Sequence, residues 1–383
     1  MSLNCQAVVS YPPEHNVPWN AKLEDVSIRD IKPDECLVEV VASGICHTDL
    51  GIASRPESIF PRVMGHESAG YLRKIGSDVP RSPMNLKEGD PVLLSIAFCG
   101  ACPSCQAGHP SYCYDAYGLN FGHPGCDSYQ VMAAPGQDTA AHVVGGFFGQ
   151  SSLGSLAVVS ANCIVSLAGI VKSREELQLF APLGCGFQTG AGTLSNLGKA
   201  QPDDSVAIIG LGGVGLSAVM AAKIIGCRRI IAVDRIPDRL SLATELGATH
   251  VIHTGELTTS LTDAVKLATE GLGSSLTIDT TGVLSIIRES LEMTSVLGRM
   301  VLLGMAKDSL EIDMTKFKLA GKTLLGSVQG DVIPSKYILQ MIEWYRAGKF
   351  PIEKLVRFYK PEDHATAVQD MRAGDTVKPI ITW

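Results

Sequence analysis

Hydrophobic positions along the chain fall into two textures. Up to about residue 185 they come as short runs, such as CLVEVVA (36–42) and PVLLSIA (91–97), bounded by Gly, Pro and Asp. Runs of this kind predict strands joined by many loops. Beyond that point, apolar runs alternate with longer Ala- and Leu-rich stretches. SVAIIG (205–210), RRIIAVD (228–234), THVIHT (249–254), SLTIDTTG (275–282) and GRMVLLG (298–304) predict strands, and GLSAVMAAKIIG (215–226) and DRLSLATELG (238–247) predict helices. Strands alternating with helices predict a parallel, doubly wound sheet. After about residue 328 the texture is mixed again, with an amphipathic helix predicted over 335–348. The pattern therefore predicts an α/β fold in which a doubly wound domain, 187–327, is inserted into a β-rich domain built from 1–186 and 328–383. The segment LEIDMT (310–315) reads as an edge strand suited to pairing across a two-fold axis.

Composition changes this picture little. A chain of 383 residues with 45% hydrophobic and 19% charged residues has material for two cores. A formal net charge of −7 gives no reason to expect nucleic acid or an anionic membrane as a partner. No apolar run is long enough to span a bilayer, and the opening MSLNCQAVVSYPPEH lacks the basic and apolar regions of a secretory signal. A cytoplasmic location is expected, so the 11 cysteines are read as metal ligands or core residues before disulfides.

Gly210-Leu-Gly212-Gly213-Val214-Gly215 is a G-x-G-x-x-G turn between a predicted strand and a predicted helix. Gly210 permits the tight turn, Gly212 lets backbone approach a pyrophosphate, and Gly215 lets helix and strand pack closely. The helix N-terminus attracts phosphate charge. Asp234 lies about 20 residues further on, where a carboxylate accepts hydrogen bonds from the adenosine ribose. The context separates this turn from a Gly-rich turn in an ordinary α/β domain. A carboxylate there favours NAD over NADP, although the adjacent Arg235 works against that discrimination.

Cys99, Cys102 and Cys105, each three residues apart, precede Cys113. Four thiolates this close in sequence can close a tetrahedral shell around Zn²⁺ with no open position, as a structural site requires. The loop has little apolar content to order itself, and a metal would supply that order. A disulfide cluster and buried thiols are the alternatives. Cys46, His66 and Cys185 are dispersed, and spacing alone gives no reason to join them. Cys5, Cys36, Cys126, Cys163 and Cys227 carry no motif and read as structural.

GHESAGYLRKIGSDV (65–79), CGACPSCQAGHPSYC (99–113), GCGFQTGAGT (184–193) and GLGGVG (210–215), in this order, resemble the zinc-containing medium-chain alcohol dehydrogenases over essentially the whole chain. GICHTDL around Cys46, FFGQSS (147–152) and QGDVIP (329–334) are most similar to the aryl-alcohol, or benzyl-alcohol type, branch. The resemblance implies a GroES-like catalytic domain around a Rossmann domain, two zinc ions per chain, NAD, a small-molecule alcohol or aldehyde substrate, and a homo-oligomer. It implies Cys46, His66 and Cys185 as catalytic zinc ligands, with Cys99, Cys102, Cys105 and Cys113 holding the structural zinc. Asp49 would orient the zinc histidine, Glu67 would stand behind the metal, and Thr48 would hydrogen-bond the substrate oxygen. His47 and Lys378 would contact cofactor pyrophosphate, Thr189 the nicotinamide, and Arg239 the adenosine ribose. In this family zinc acts as a Lewis acid that lowers the pKa of a bound hydroxyl, and hydride passes to the nicotinamide.

Two departures stand out. Many relatives carry a proton-relay His shortly after the zinc cysteine, where this chain has Leu50-Gly51-Ile52. SSLGSLAVV (151–159) has leucines where an aromatic is common. The missing His leaves open a reductive role, as an aldehyde or conjugated-carbonyl reductase using NADPH or NADH. A non-catalytic protein on the same fold is a third reading, one that predicts degraded zinc ligands, whereas all seven are present.

Overall fold

The computed structural model describes residues 3–79, 85–121, 127–131 and 142–383, so Cys126 lies outside the described residues. The chain divides into two compact units, one of Met1–Gly186, Ile333–Leu339 and Ile352–Trp383, the other of Phe187–Val332 and Gln340–Pro351.

The first unit is built around the strand Glu35–Gly44, whose Val-rich sequence is buried along almost its whole length. It is buried because it is flanked on both sides. Ser68–Ile75 pairs antiparallel with it on one edge, and Leu156–Ser160 and Lys378–Thr382 pair with it on the other. These strands belong to a seven-stranded sheet, which stands beside a closed barrel of Leu3–Ser10, Ala21–Ile28, Asp127–Val131, His142–Val144 and Arg62–Val63. Strand register sets which residues meet. Ser43 lies opposite Ser68, Gly44 opposite Ile380, and Leu94 opposite Ser68. Residues 45–46, 66–67, 95 and 378 are thereby delivered to one end of one sheet.

The second unit contains a six-stranded, all-parallel sheet. In space its strands run His250–His253, Arg229–Asp234, Ser205–Ile209, Ser274–Asp279, Thr294–Leu302, Thr323–Gly326. In chain order that is third, second, first, fourth, fifth, sixth, the doubly wound arrangement in which the ends of the first strands meet a ligand crevice. The central strands are largely apolar and buried because both faces are covered, Ser205–Ile209 along its whole length. Ala207, Ile209, Ile231 and Val233 pack with Leu261, Val265 and Met293 in one buried cluster.

LEIDMT forms no strand. Leu310–Asp313 belong to no regular element, and the helix Met314–Ala320 begins there instead. Asp313 explains the difference, since its carboxylate accepts the N–H groups of Thr315 and Lys316, both at 3.0 Å, as an N-cap. The strand at that edge of the sheet is Thr323–Gly326. Among the described residues no helix is long and apolar enough to cross a membrane.

One ion pair closes the second unit. Both oxygens of Asp204 accept from Arg299 Nη2 at 2.8 Å, and the carboxylate also accepts from Ser275 Oγ at 2.7 Å and Gln201 N at 2.8 Å. Burial pulls the Asp204 pKa up, but the Ser275 hydroxyl, the Gln201 amide and the Arg299 guanidinium together hold it below the ordinary carboxylate value. A depressed folded-state pKa contributes stability above the unfolded value, about 4, and loses it as pH falls through the folded value. Asp204→Ala is expected to lower stability at pH 7 by about 3 kcal/mol. In urea unfolding the gap from the wild-type chain should narrow as pH falls below about 4.

Candidate active site

Cys46 caps the N-terminus of the helix His47–Ala53, directly after the central strand of the first unit. Asp49, on that helix, is fully buried, and its carboxylate gathers three donors. Oδ2 accepts Cys46 N at 2.8 Å, and Oδ1 accepts Gly65 N at 3.0 Å and stands 3.0 Å from His66 Nδ1. A carboxylate only accepts, so Nδ1 carries the imidazole proton and Nε2 presents a lone pair. That Nε2 is buried and has no hydrogen-bond partner. Gly65 is at φ +95°, and a Cβ there would run into the backbone N of Leu153.

The ligand atoms of Cys46, His66, Glu67 and Cys185 all lie within 4.8 Å of one another. The Cys46 thiol is held well below its ordinary pKa, first by its hydrogen bond with Cys185 and, against the penalty of burial, by the charge of Lys378. Behind the thiols, Lys378 Nζ stands 2.9 Å from Glu67 Oε1, 2.8 Å from Oε2 and 3.3 Å from the Ile45 carbonyl oxygen. Gly186 N donates to Glu67 Oε1 at 3.1 Å. Burial pushes the Glu67 carboxyl up to about 7 against the pull of Lys378. The half-buried Thr48 and exposed His47 occupy the first turn of the helix.

A second sulfur cluster, Cys99, Cys102, Cys105 and Cys113, also has its ligand atoms within 4.8 Å of one another. Backbone amides point at the sulfurs: Cys102 N and Ala101 N reach Cys99 Sγ at 3.3 and 3.4 Å, and Cys99 N reaches Cys113 Sγ at 3.3 Å. The amides of Cys105 and Tyr114 bring the Cys102 thiol down to about 6, while desolvation drives Cys105 up to about 12. Four sulfurs this close ionise together only around a cation. The described cysteines are all free thiols.

In the second unit the strand Ser205–Ile209 runs through the glycine turn into the helix Gly213–Ile225. Gly210 is at φ +87°, a Cβ on Gly212 would meet nothing within 4 Å, and one on Gly215 would overlap the Gly210 carbonyl oxygen. The turn is thus left-handed at its start, open at its centre and closed at its end, which suits a diphosphate over its middle. Val214 borders it half-buried, beside the helix Gly186–Gly192 that carries Thr189: a Cβ on Gly190 would overlap the Val214 carbonyl oxygen. Asp234 accepts from Leu211 N at 2.6 Å, Arg235 N at 2.7 Å and Ile236 N at 3.0 Å. Nearby, Arg235 is exposed, and Arg239 has its Nε buried without a hydrogen-bond partner.

Residues 32–168 match the alcohol dehydrogenase GroES-like domain, and residues 213–347 the zinc-binding dehydrogenase family. A geraniol dehydrogenase of Castellaniella defragrans is 36% identical over 365 residues, covering 94% of each chain. The chain belongs to the zinc-containing medium-chain alcohol dehydrogenases. Its fold agrees: a zinc-binding-domain alcohol dehydrogenase from Burkholderia ambifaria superposes with a TM-score of 0.90 at 35% identity, over 100% of this chain and 99% of that one. A benzyl alcohol dehydrogenase from Acinetobacter calcoaceticus superposes with a TM-score of 0.87 at 36% identity, over 99% of each.

In this alcohol dehydrogenase the structure adds residues that sequence reasoning missed. Phe148 stacks on the His66 ring at 4.4 Å and 22°, and Phe147 meets it edge-on at 5.6 Å. Gln150 reaches the His66 carbonyl oxygen. The three lie in FFGQSS, a run that carries only a branch resemblance in the sequence, and nothing in it signals a contact with residue 66. Glu67 as the partner of Lys378 was equally unseen. That pair is almost wholly enclosed, with side-chain exposures of 6% and 0%. Lys378→Met leaves a carboxylate enclosed without its cation, and should cost about 3 kcal/mol. Adding Glu67→Gln to Lys378→Met should return a large part of that loss. A double-mutant cycle by urea unfolding at pH 8 checks both expectations.

Proposed function

We propose that this chain is a zinc- and NAD-dependent alcohol dehydrogenase that interconverts a primary alcohol and its aldehyde, with aromatic or allylic substrates preferred. The observation that carries the proposal is His66 Nε2, an enclosed lone pair with no protein partner, set among the thiols of Cys46 and Cys185. Two sulfurs and one imidazole nitrogen are the donor set of a catalytic zinc with an open position, and Cys99, Cys102, Cys105 and Cys113 are that of a closed structural one. Bound at the first set, zinc supplies a Lewis acid that makes a hydroxyl acidic and polarises a carbonyl.

The chain's own residues supply the rest. Asp49 holds the His66 tautomer that leaves Nε2 free to ligate. Thr48 offers a hydroxyl that donates and accepts at once, and so takes the proton an alcohol gives up at Thr48 Oγ1. The open backbone at Gly212, with Gly213 next to it and Gly210 and Gly215 shaping the turn, receives the NAD pyrophosphate, and NAD supplies the hydride acceptor. Asp234 favours NAD. Arg235 and Arg239 stand close enough in sequence to oppose it, so both cofactors belong in the assay. His47, Thr189 and Lys378 complete the proposed cofactor contacts.

Geraniol is allylic and benzyl alcohol aromatic, which supports a planar, unsaturated substrate here. Phe147 and Phe148 around His66 support it too. A reductive role is the second reading, favoured by the absence of a titratable side chain at Leu50, Gly51 and Ile52. Rates in both directions at neutral pH separate the two. A homo-oligomer in the cytoplasm is part of the proposal. Val296, Leu297, Met314 and Leu319 are exposed on elements neighbouring the edge strand Thr323–Gly326, which supports self-association.

Metal analysis of dialysed protein is expected to find about two zinc ions per chain. Cys46→Ser should lose one of them and all turnover while still folding and binding NAD, and Cys102→Ser should damage folding itself. Zinc-free wild-type protein with full activity would overturn the proposal. For the substrate, enclosing about 100 Å² of ring at about 25 cal/mol per Å² gives about 2.5 kcal/mol, roughly 70-fold. kcat/KM for benzyl or cinnamyl alcohol should exceed that for ethanol by this order, and a preference for ethanol would refute the assignment.

A further inference from the structure

Gln150 is fully buried, and its side-chain amide makes three hydrogen bonds. Nε2 donates to the His66 carbonyl oxygen at 3.2 Å and to the Ser95 carbonyl oxygen at 2.9 Å, while Oε1 accepts from Ser152 Oγ at 2.8 Å. The two carbonyls can only accept, which fixes the amide's orientation. Ser95 in turn donates its hydroxyl to the Gly184 carbonyl oxygen at 2.7 Å. Gly184 lies so close to the strand Pro91–Leu94, just before Ser95, that a Cβ on it would overlap the Leu94 carbonyl oxygen. Gly184 precedes Cys185, so the chain of contacts runs from the backbone of one proposed zinc ligand to the backbone beside another.

The other end of the amide is anchored as firmly. Ser152 Oγ accepts from Ser68 Oγ at 2.5 Å, and Ser68 Oγ is 2.7 Å from Ser43 Oγ, its cross-strand partner. Ser43, Ser68 and Ser152 are all buried, so their hydroxyls depend on one another and on neighbouring protein acceptors for their hydrogen bonds. The turn is held in an uncommon backbone shape, with Phe148 at φ +52° and Ser151 at φ +47° flanking Gln150. Such conformations persist where the surroundings over-determine them.

We infer that Gln150 is a positioning residue for the metal centre, its amide tying the His66 backbone to Ser95 and, through the Ser95 hydroxyl, to Gly184. The inference rests on the proposed zinc role of Cys46, His66 and Cys185. It assigns to the buried Gln–Ser network, alongside the Gly186 N to Glu67 Oε1 hydrogen bond, a share in the spacing between the His66 segment and the Cys185 segment, a spacing that Asp49 does not control. The donors to Asp49 come from residues 46, 65 and 66, on the other side of the ligand set from Gly184 and Cys185 in the chain.

Gln150→Met keeps the length and removes the amide. In the zinc-loaded enzyme, release of one of the two zinc ions to a chromophoric chelator should quicken by about tenfold or more. With cobalt at the catalytic position, the visible ligand-field bands should shift or broaden. Ser152→Ala, which takes away the hydrogen bond to Oε1 and the acceptor of Ser68 Oγ but leaves both Nε2 hydrogen bonds in place, should move both readouts the same way by less, and gives the answer if Gln150→Met does not fold. A network that merely supports the fold would lower Tm and leave zinc release and cobalt bands at wild-type values in both variants, and that result would overturn the inference. Wild-type protein that holds no zinc at Cys46, His66 and Cys185 would instead overturn the proposed function, so the two failures are distinguishable.

Discussion

The arrangement of the first unit's chemistry depends on one enclosed carboxylate. Asp49 has no exposure to solvent, so its charge must be met by donors from the chain itself. The donors it collects belong to residues 46, 65 and 66, a helix cap and a left-handed turn far apart in sequence. Satisfying Asp49 therefore sets the Cys46 backbone and the His66 ring in one step. The sheet register makes this possible, because Glu35–Gly44 and Ser68–Ile75 end side by side and Gly44 N donates to the Glu67 carbonyl oxygen at 2.8 Å.

Charge around the cluster is one-sided. Two thiols and the carboxyls of Asp49 and Glu67 face a single ammonium, Lys378. Glu67 shows the consequence: even with Lys378 in contact, burial holds its carboxyl near 7. A dication is the species that lets such a set ionise together, since thiolate ligands need positive charge more than they need solvent. The Cys99–Cys113 cluster meets the same demand differently. Its sulfurs are nearer the surface and lean on backbone amides, whereas the Cys46 set is shut in and leans on side chains.

The contrast explains what could be read from the sequence. Cys99, Cys102, Cys105 and Cys113 are local, so their spacing alone suggests a common ligand. Cys46 and His66 converge through strand register and Cys185 joins them from the junction of two helical segments, which one-dimensional spacing does not encode, and only a family resemblance links the three in the sequence. The alternation of apolar runs and Ala-rich stretches is enough for the doubly wound sheet, since parallel strands covered on both faces read as near-continuous apolar runs. LEIDMT misled because its alternating pattern carries a strand signal, while Asp313 capping the next helix outweighs it. Gln150 and the serines left no trace, since a single amide in a turn has no periodicity. Glu67 and Lys378 are 311 residues apart, and no local pattern links them.

Asp234 shows why reading a cofactor preference from one acid is incomplete. Its carboxylate already accepts three backbone amides, one of them from Leu211 inside the glycine turn. The residue that faces the adenosine ribose in the dinucleotide pattern is therefore also a brace for the turn that faces the pyrophosphate. An ionised carboxylate has about four lone-pair directions, so three amides leave room for a ribose hydroxyl. Removing it changes both ends of the site at once: a repulsive charge is lost, and Leu211 N loses its acceptor. The proposed discrimination between cofactors therefore rests on Asp234 together with Arg235 and Arg239, whose enclosed Nε has no hydrogen-bond partner among the described residues. Arg239 has its pKa lowered by desolvation, with the charge of Asp234 opposing that shift and Arg235 adding to it. The acid and the two arginines thus form one electrostatic unit, in which a change at any one is felt by the others.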